Sequence, residues 1–258
     1  MTLSITQLLI LFLMFVRILT VLATAPVFNI RSIPVMTKIG FAALLTFTLL
    51  PLTGRLMQTS PMVLPGNLGL FMLLVAHEIL FGVTLGFISN LIFMALSMAA
   101  GLMGLQTGFN AASLFSPFTN ISSTALEQFY TLLALALFLA INGHHMLIQA
   151  LVRTFEIAPL GSFVMNAVTI EYLINFSAEI FVIAIRLALP VIGTLLLTDV
   201  GLGLIARAVP QIQVFFVGLP LKVGLGFVTL AITLTLTFPV IKTMFSQMID
   251  NILLISGQ

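Results

Sequence analysis

Residues 68–103 read LGLFMLLVAHEILFGVTLGFISNLIFMALSMAAGLM, roughly 36 residues in which Glu78 is the one formally charged side chain. As a single α-helix the stretch is ~54 Å long, against a bilayer hydrocarbon core of ~30 Å. It is therefore expected either to rise out of a membrane or to break near Gly101 and Gly104.

Working outward, the apolar runs are punctuated by Pro, Gly and single charges rather than by polar domains. Upstream, Thr53 to Asn67 is loop-like, with Gly54, Pro61, Pro65 and Gly66. Ile39 to Leu50, closed by Pro51, is too short to span alone unless Val35 to Lys38 extend it. Ile5 to Ala25 has the length of a bilayer-spanning helix and stops at Pro26. Ala23-Thr24-Ala25 has the form of a signal cleavage site. However, no Lys or Arg precedes the run and Pro26 would follow the cut, so a retained helix is expected. Downstream, Leu105 to Thr124 is a Gly/Asn/Ser/Pro-containing loop, and Leu126 to Leu151 is another spanning-length run. Ile157 to Ile170 links it to Tyr172–Ile205, which contains Pro190. A Pro-bounded strip, Pro210 to Pro220, then leads into a last run through Pro239 towards Ile255. With no repeat and no soluble segment, residues 1–258 are expected to form one membrane domain.

Composition agrees with this pattern. Of 258 residues, 60% are hydrophobic and 6% charged, against about 25% charged in a soluble domain. Seven acids and nine bases cannot cover the surface of a water-soluble protein of this size. A net charge of +2 offers no basic face for nucleic acid. The absence of Cys excludes disulfides, thiol catalysis and thiolate metal sites. The expected fold is all-α, an integral membrane protein of long, partly broken hydrophobic helices.

Charges within the apolar runs are the candidate functional groups. Arg17 lies mid-way along the first run. An Arg at a helix centre costs roughly 2.5–3.5 kcal/mol on the insertion scale, and each Leu, Ile, Phe or Val returns roughly 0.3–0.6. Some thirteen such residues (roughly) surround it, so insertion still wins. Thr20 and Thr24 follow Arg17 at helical spacing, a polar stripe expected to face protein rather than lipid. Glu78, Gly82, Gly86 and Asn90 recur every four residues on one helix face, and the Gly pair is a G-x-x-x-G motif that lets another helix approach closely. The carboxylate on that face needs an Arg, Lys or hydroxyl from a neighbour. Its two readings are a buried ion pair that fixes packing and a proton relay. Asn175, Glu179 and Arg186 also share a face; Glu179 and Arg186 lie two turns apart, so each is expected to find its partner on another helix. Thr229, Thr233 and Thr237 form a hydroxyl ridge satisfied by carbonyls one turn back. His144 and His145 point about 100° apart on a helix, which argues against a shared metal ion. No metal, cofactor or catalytic site is expected, since no G-x-S-x-G, H-E-x-x-H or phosphate loop occurs.

Several ordered stretches resemble the FliR family of the flagellar type III export apparatus. They are Thr24-Ala25-Pro26-Val27-Phe28 with Arg31, Ile33-Pro34 and Lys38; Glu78-Ile79-Leu80-Phe81-Gly82 with Leu85-Gly86-Phe87; and Gly104-Leu105-Gln106-Thr107-Gly108-Phe109, leading to Ala112-Ser113-Leu114-Phe115 and Pro117. Asn142-Gly143-His144-His145, Pro159-Leu160-Gly161 and Leu189-Pro190 follow. Asp199, Gly203, Arg207, Pro210-Gln211, Phe215, Gly218 and Pro220-Leu221-Lys222 complete the pattern. Where the family commonly has an acidic residue before the loop proline, this chain has Ser116.

The resemblance implies a core subunit of the flagellar export gate in the bacterial inner (cytoplasmic) membrane, at the flagellar basal body and extending to the periplasmic side. FliP-like and FliQ-like subunits would join it in a helical hetero-oligomeric assembly around a pore for unfolded exported proteins, adjoining an FlhB-like subunit. Charges on its apolar helices would then find partners in other subunits. Two readings stand for the loop Gln106, Thr107, Gly108, Phe109, Asn110, Leu114, Phe115 and Pro117: a connector packed inside the chain, or a plug projecting into the closed pore. Alternatives to the flagellar gate are a gate subunit of the related injectisome and a self-contained channel or transporter lined by Arg17, Glu78 and Glu179.

Overall fold

A computed structural model of the chain describes residues 5–28, 33–51, 67–108, 125–211 and 213–257, the side chain of residue 215 excepted. All regular structure among them is helical: α1 (Ile5–Thr24), α2 (Val35–Thr48), α3 (Leu68–Thr107), α4 (Ala125–Ala140), α5 (Gly143–Ile157), α6 (Ala167–Ala208) and α7 (Val214–Ser256). By length and composition α1, α3, α6 and most of α7 are able to cross a membrane. The chain is an all-α membrane protein.

The stretch that decides the fold does not break at its glycines. α3 runs through Gly101 and Gly104 for 40 residues, ~60 Å at 1.5 Å per residue. Gly101 serves packing instead: a Cβ there would lie 2.7 Å from Glu127 Oε1 of α4. The helix stops at Gly108, whose φ of 80° is the left-handed conformation that glycine adopts without steric cost just past a helix C-terminus.

Two other expectations need correction. Leu126–Leu151 is not one helix; it divides into α4 and α5 at Ile141-Asn142. Asn142 has φ 58°, and its short amide side chain suits that left-handed geometry better than most residues do. In the Pro210–Pro220 strip, α7 starts at Val214 and carries Pro220 and Pro239 within it, as α6 carries Pro190. Each proline removes one helix hydrogen bond, a loss that membrane helices tolerate when neighbouring groups re-satisfy the freed backbone. α2 includes Val35 to Lys38 yet has only 14 residues, ~21 Å, short of the ~30 Å core.

The chain divides into two compact units, residues 1–91, 142–175 and 245–258 in one and 92–141 and 176–244 in the other. The first is packed around Leu13, Met14 and Ile18 of α1, Phe81 and Leu85 of α3 and Phe155 of α5, all almost fully buried. The second has Leu96, Ala99, Ala100 and Met103 of α3, Tyr130 and Phe138 of α4 and Val191 and Leu195 of α6 in its interior. By contrast, α6 and α7 leave Phe181, Leu196, Leu197, Leu204, Phe227, Ile232, Leu236 and Phe238 exposed. So much bare apolar surface calls for lipid or a protein neighbour.

Candidate functional site

The buried stripe of α1 is Ile10, Leu13, Met14, Arg17, Ile18, Val21 and Leu22, a three-and-four spacing that interrupts its own apolarity at one position. Arg17 has 0% of its surface exposed, and Glu78 of α3 has 1%. They meet as a fork: Arg17 Nε donates to Glu78 Oε2, and Nη2 donates to Oε1 at 3.0 Å. Two parallel charge-assisted bonds are the strongest form of this pair and hold both side chains in register.

The remaining groups of the pair are also occupied. Arg17 Nη1 donates to the carbonyls of Thr154 (3.3 Å) and Ala158 (3.0 Å) at the end of α5, where the helix dipole favours a cation; the Thr154 carbonyl also accepts the Ala158 amide at 2.9 Å. The Phe81 and Phe155 rings each stand 4.6 Å from Arg17 Cζ, within range of a cation–π attraction strengthened by desolvation. Glu78 Oε1 also accepts a 2.7 Å bond from the Gly161 amide. Gly161 has φ 76°, which makes it the turn residue that aims this N–H inward. Three segments distant in sequence are thereby tied at one ionic node. A charge pair taken out of water is costly, and bonds to its remaining lone pairs and protons offset that cost.

One turn beyond Glu78, the small face of α3 lies against α1. A Cβ at Gly82 would stand 2.7 Å from Thr20 Cβ and 3.1 Å from the Arg17 carbonyl. At Gly86 it would fall 1.7 Å from Thr24 Oγ1. No atom fits there, so glycine sets the closeness of the crossing, as small residues do between membrane helices. Thr20 and Thr24 turn their hydroxyls back to the carbonyls of Val16 and Thr20, both at 2.7 Å; Thr20 presents its Cβ and methyl to Gly82, and Thr24 its Cβ and hydroxyl oxygen to Gly86.

In the second unit, Gln106 at the end of α3 donates to Asp199 Oδ2 of α6 at 3.2 Å, and Asp199 pairs with Lys222 of α7. Thr107 is buried, and a Cβ at Gly226 of α7 would lie 2.7 Å from its Cγ2. Gly108 lies beside Leu219. The start of the Gln106 loop is thus held by α6 and α7. Phe109, Asn110, Leu114, Phe115 and Pro117 lie outside the described residues. Asp199, Leu202, Gly203, Val214, Gly218, Leu219 and Lys222 line a cavity of about 390 Å³ beside this anchor.

The geometry brings together Arg17 with Glu78, and Gly82 and Gly86 with α1. It does not bring Glu179 and Arg186 to any partner; both are exposed on α6 and take part in no hydrogen bond or ion pair among the described residues. Sequence reasoning missed the α5 carbonyls, Phe155 and the Gly161 amide. Carbonyls carry no sequence signal, although a left-handed glycine two residues after Pro159 is a turn that aims backbone groups. Nor did it pair Asp199 with Lys222. Among the described residues no cluster of His, Asp and Glu is arranged to hold a metal ion.

Comparison with known proteins bears on this arrangement. The sequence profile of the bacterial export proteins, family 1, matches residues 8–248. The flagellar biosynthetic protein FliR of Escherichia coli (strain K12) is 34% identical over 239 residues, 91% of this chain and 87% of that protein. FliR of Bacillus subtilis (strain 168) is 33% identical, covering 93% and 91%. FliR of Aquifex aeolicus (strain VF5) is 33% identical, covering 88% and 85%. The match includes Arg17, Glu78, the small face of α3 and the Gln106–Asp199–Lys222 anchor, and the chain belongs to the FliR family of bacterial export proteins, family 1.

Proposed function

We propose that this chain is a core subunit of the flagellar protein-export gate in the bacterial inner membrane, extending to the periplasmic side. As a single export-gate domain over residues 1–258, it builds with FliP-like and FliQ-like subunits, beside an FlhB-like subunit, the pore through which unfolded flagellar proteins pass. Its role is to form and seal a conduit, not to catalyse a reaction. The observation that carries this reading is the family match over nearly the whole chain, with relatives named flagellar biosynthetic protein FliR.

Physical features support it. α2 is shorter and α3, α6 and α7 are longer than one bilayer crossing, a mismatch suited to an assembly whose helices do not all span the membrane. The bare apolar surfaces of α6 and α7 suit protein neighbours. Deleting the gene from its own bacterium is expected to abolish swimming and secretion of filament protein, and a plasmid copy to restore both. Normal flagellar secretion with loss of injectisome secretion would move the chain to the related injectisome gate.

Within the pore we assign Gln106 to Pro117 the role of plug. Gln106, Thr107 and Asn110 hold the backbone through hydrogen bonds, while Phe109 and Phe115 exclude water, since hydrophobic constrictions gate by dewetting. Replacing residues 109–115 by a Gly/Ser linker is expected to leave assembly intact and let small ions leak through the resting gate. Conductance across membranes holding the complete complex measures this. A complex that stays tight to ions would make the stretch a connector.

A further inference from the structure

Midway along α6, Glu179 and Arg186 are answered by none of the described residues. Glu179 and Arg186 are seven residues apart on α6, so they share a face about 20° from alignment and stand ~10.5 Å apart along the axis. Both are exposed, and neither bonds to any described residue. Their surroundings are apolar and equally bare: Val182 is 44% exposed and Leu197, further along the same face, 75%. Between them and Leu197 is Gly193, where an added Cβ would meet nothing within 4 Å. The chain offers here a stripe of acid, aliphatic, base, glycine and aliphatic that is left uncovered by the described residues.

Lipid is a poor cover for it. Two opposite charges near the middle of a 42-residue apolar helix are each costly in hydrocarbon, and such residues face a bundle interior or one another. Charge also decides what kind of protein covers them. A second copy inserted in the same orientation about a two-fold axis along the membrane normal sets Glu179 against Glu179 and Arg186 against Arg186, which repels. A copy in the opposite orientation would pair them, but subunits inserted the same way do not meet so. The complement is a different chain whose helix carries a base and an acid two turns apart, matched to Glu179 and Arg186.

We infer that the Glu179–Arg186 face of α6 is the docking surface for an apolar helix of another gate subunit, with a basic residue level with Glu179 and an acidic residue level with Arg186, passing close over Gly193. This rests on the gate-subunit reading above and adds the face and the charge order of the contact. The geometry makes the contact sensitive to size at Gly193, whereas the folding of this chain is not.

The test uses the complete gate, purified through a tag on this chain from cells that also make the FliP-like and FliQ-like subunits. A photo-cross-linking amino acid at Val182 is expected to form an adduct with one of those subunits. Glu179→Arg and Arg186→Glu are each expected to lower that adduct at least tenfold, because removing one partner of a desolvated pair leaves the other charge unpaired. Reversing the facing charge on the captured helix should restore it. Gly193→Leu should abolish the adduct and lower co-purification of the captured subunit, because the larger side chain fills the space the docked helix needs. Co-purification of the gate with no adduct from Val182, or with adducts only to a second copy of this chain, overturns the inference and leaves the gate reading intact. Failure of the other subunits to co-purify at all overturns both.

Discussion

Glu78→Gln is expected to reduce the yield of folded protein sharply, with any gate that does assemble still able to export. The amide keeps the shape of the carboxylate but leaves the Arg17 guanidinium, with 0% of its surface exposed, without a counter-charge. Removing one partner of a buried pair costs about 3–5 kcal/mol, a large part of a typical total stability of roughly 5–15 kcal/mol. Arg17→Met should be equally damaging, since it strands the carboxylate with only the Gly161 amide at 2.7 Å to satisfy it. The double variant Arg17→Met with Glu78→Leu should recover much of the loss, because an apolar replacement of a whole buried pair is often near neutral. Yield and thermal stability in detergent distinguish these cases. Normal yield of Glu78→Gln with loss of export would instead assign Glu78 to proton transfer.

The second large effect concerns the crossing of α1 and α3. Gly86→Ala places a methyl 1.7 Å from Thr24 Oγ1 and 2.5 Å from Thr24 Cβ, so one helix has to move. Overpacking of this kind costs about 1–3 kcal/mol, and Gly86→Leu should prevent folding. Adding Thr24→Gly to Gly86→Ala removes both close atoms and should restore part of the stability. Gly40→Ala in α2 is the control: the added methyl meets nothing within 4 Å and should stabilise the chain by about 0.5–1 kcal/mol through the ordinary glycine-to-alanine effect in a helix. Thermal melting of the four variants checks the order. Equal melting of Gly86→Ala and Gly40→Ala would remove the close crossing from the account.

Much of this was legible in the residues. Composition and run lengths are sufficient for an all-α membrane protein, and the four-residue recurrence of Glu78, Gly82 and Gly86 is sufficient for a close helix contact on that face. The partner was not legible. Arg17 and Glu78 are 61 residues apart, and nothing in their spacing says that one chain supplies both charges; the resemblance pointed instead to other subunits. Gly101 misled in a different way. A glycine in an overlong apolar run reads as a break, but inside a membrane helix it also serves as room for a neighbour, here Glu127. At Asn142-Gly143 the same kind of signal does mark a break, although the run on both sides is apolar and long enough to span as one.

The claim that the chain works only as part of a multi-subunit gate is tested most directly by making it with and without the FliP-like and FliQ-like subunits and measuring the mass of the tagged product in mild detergent. Alone, it is expected to aggregate or be degraded, its bare α6 and α7 faces uncovered. With the other subunits it should elute as one stable hetero-oligomer. A monodisperse monomer that conducts ions by itself in liposomes would contradict the account.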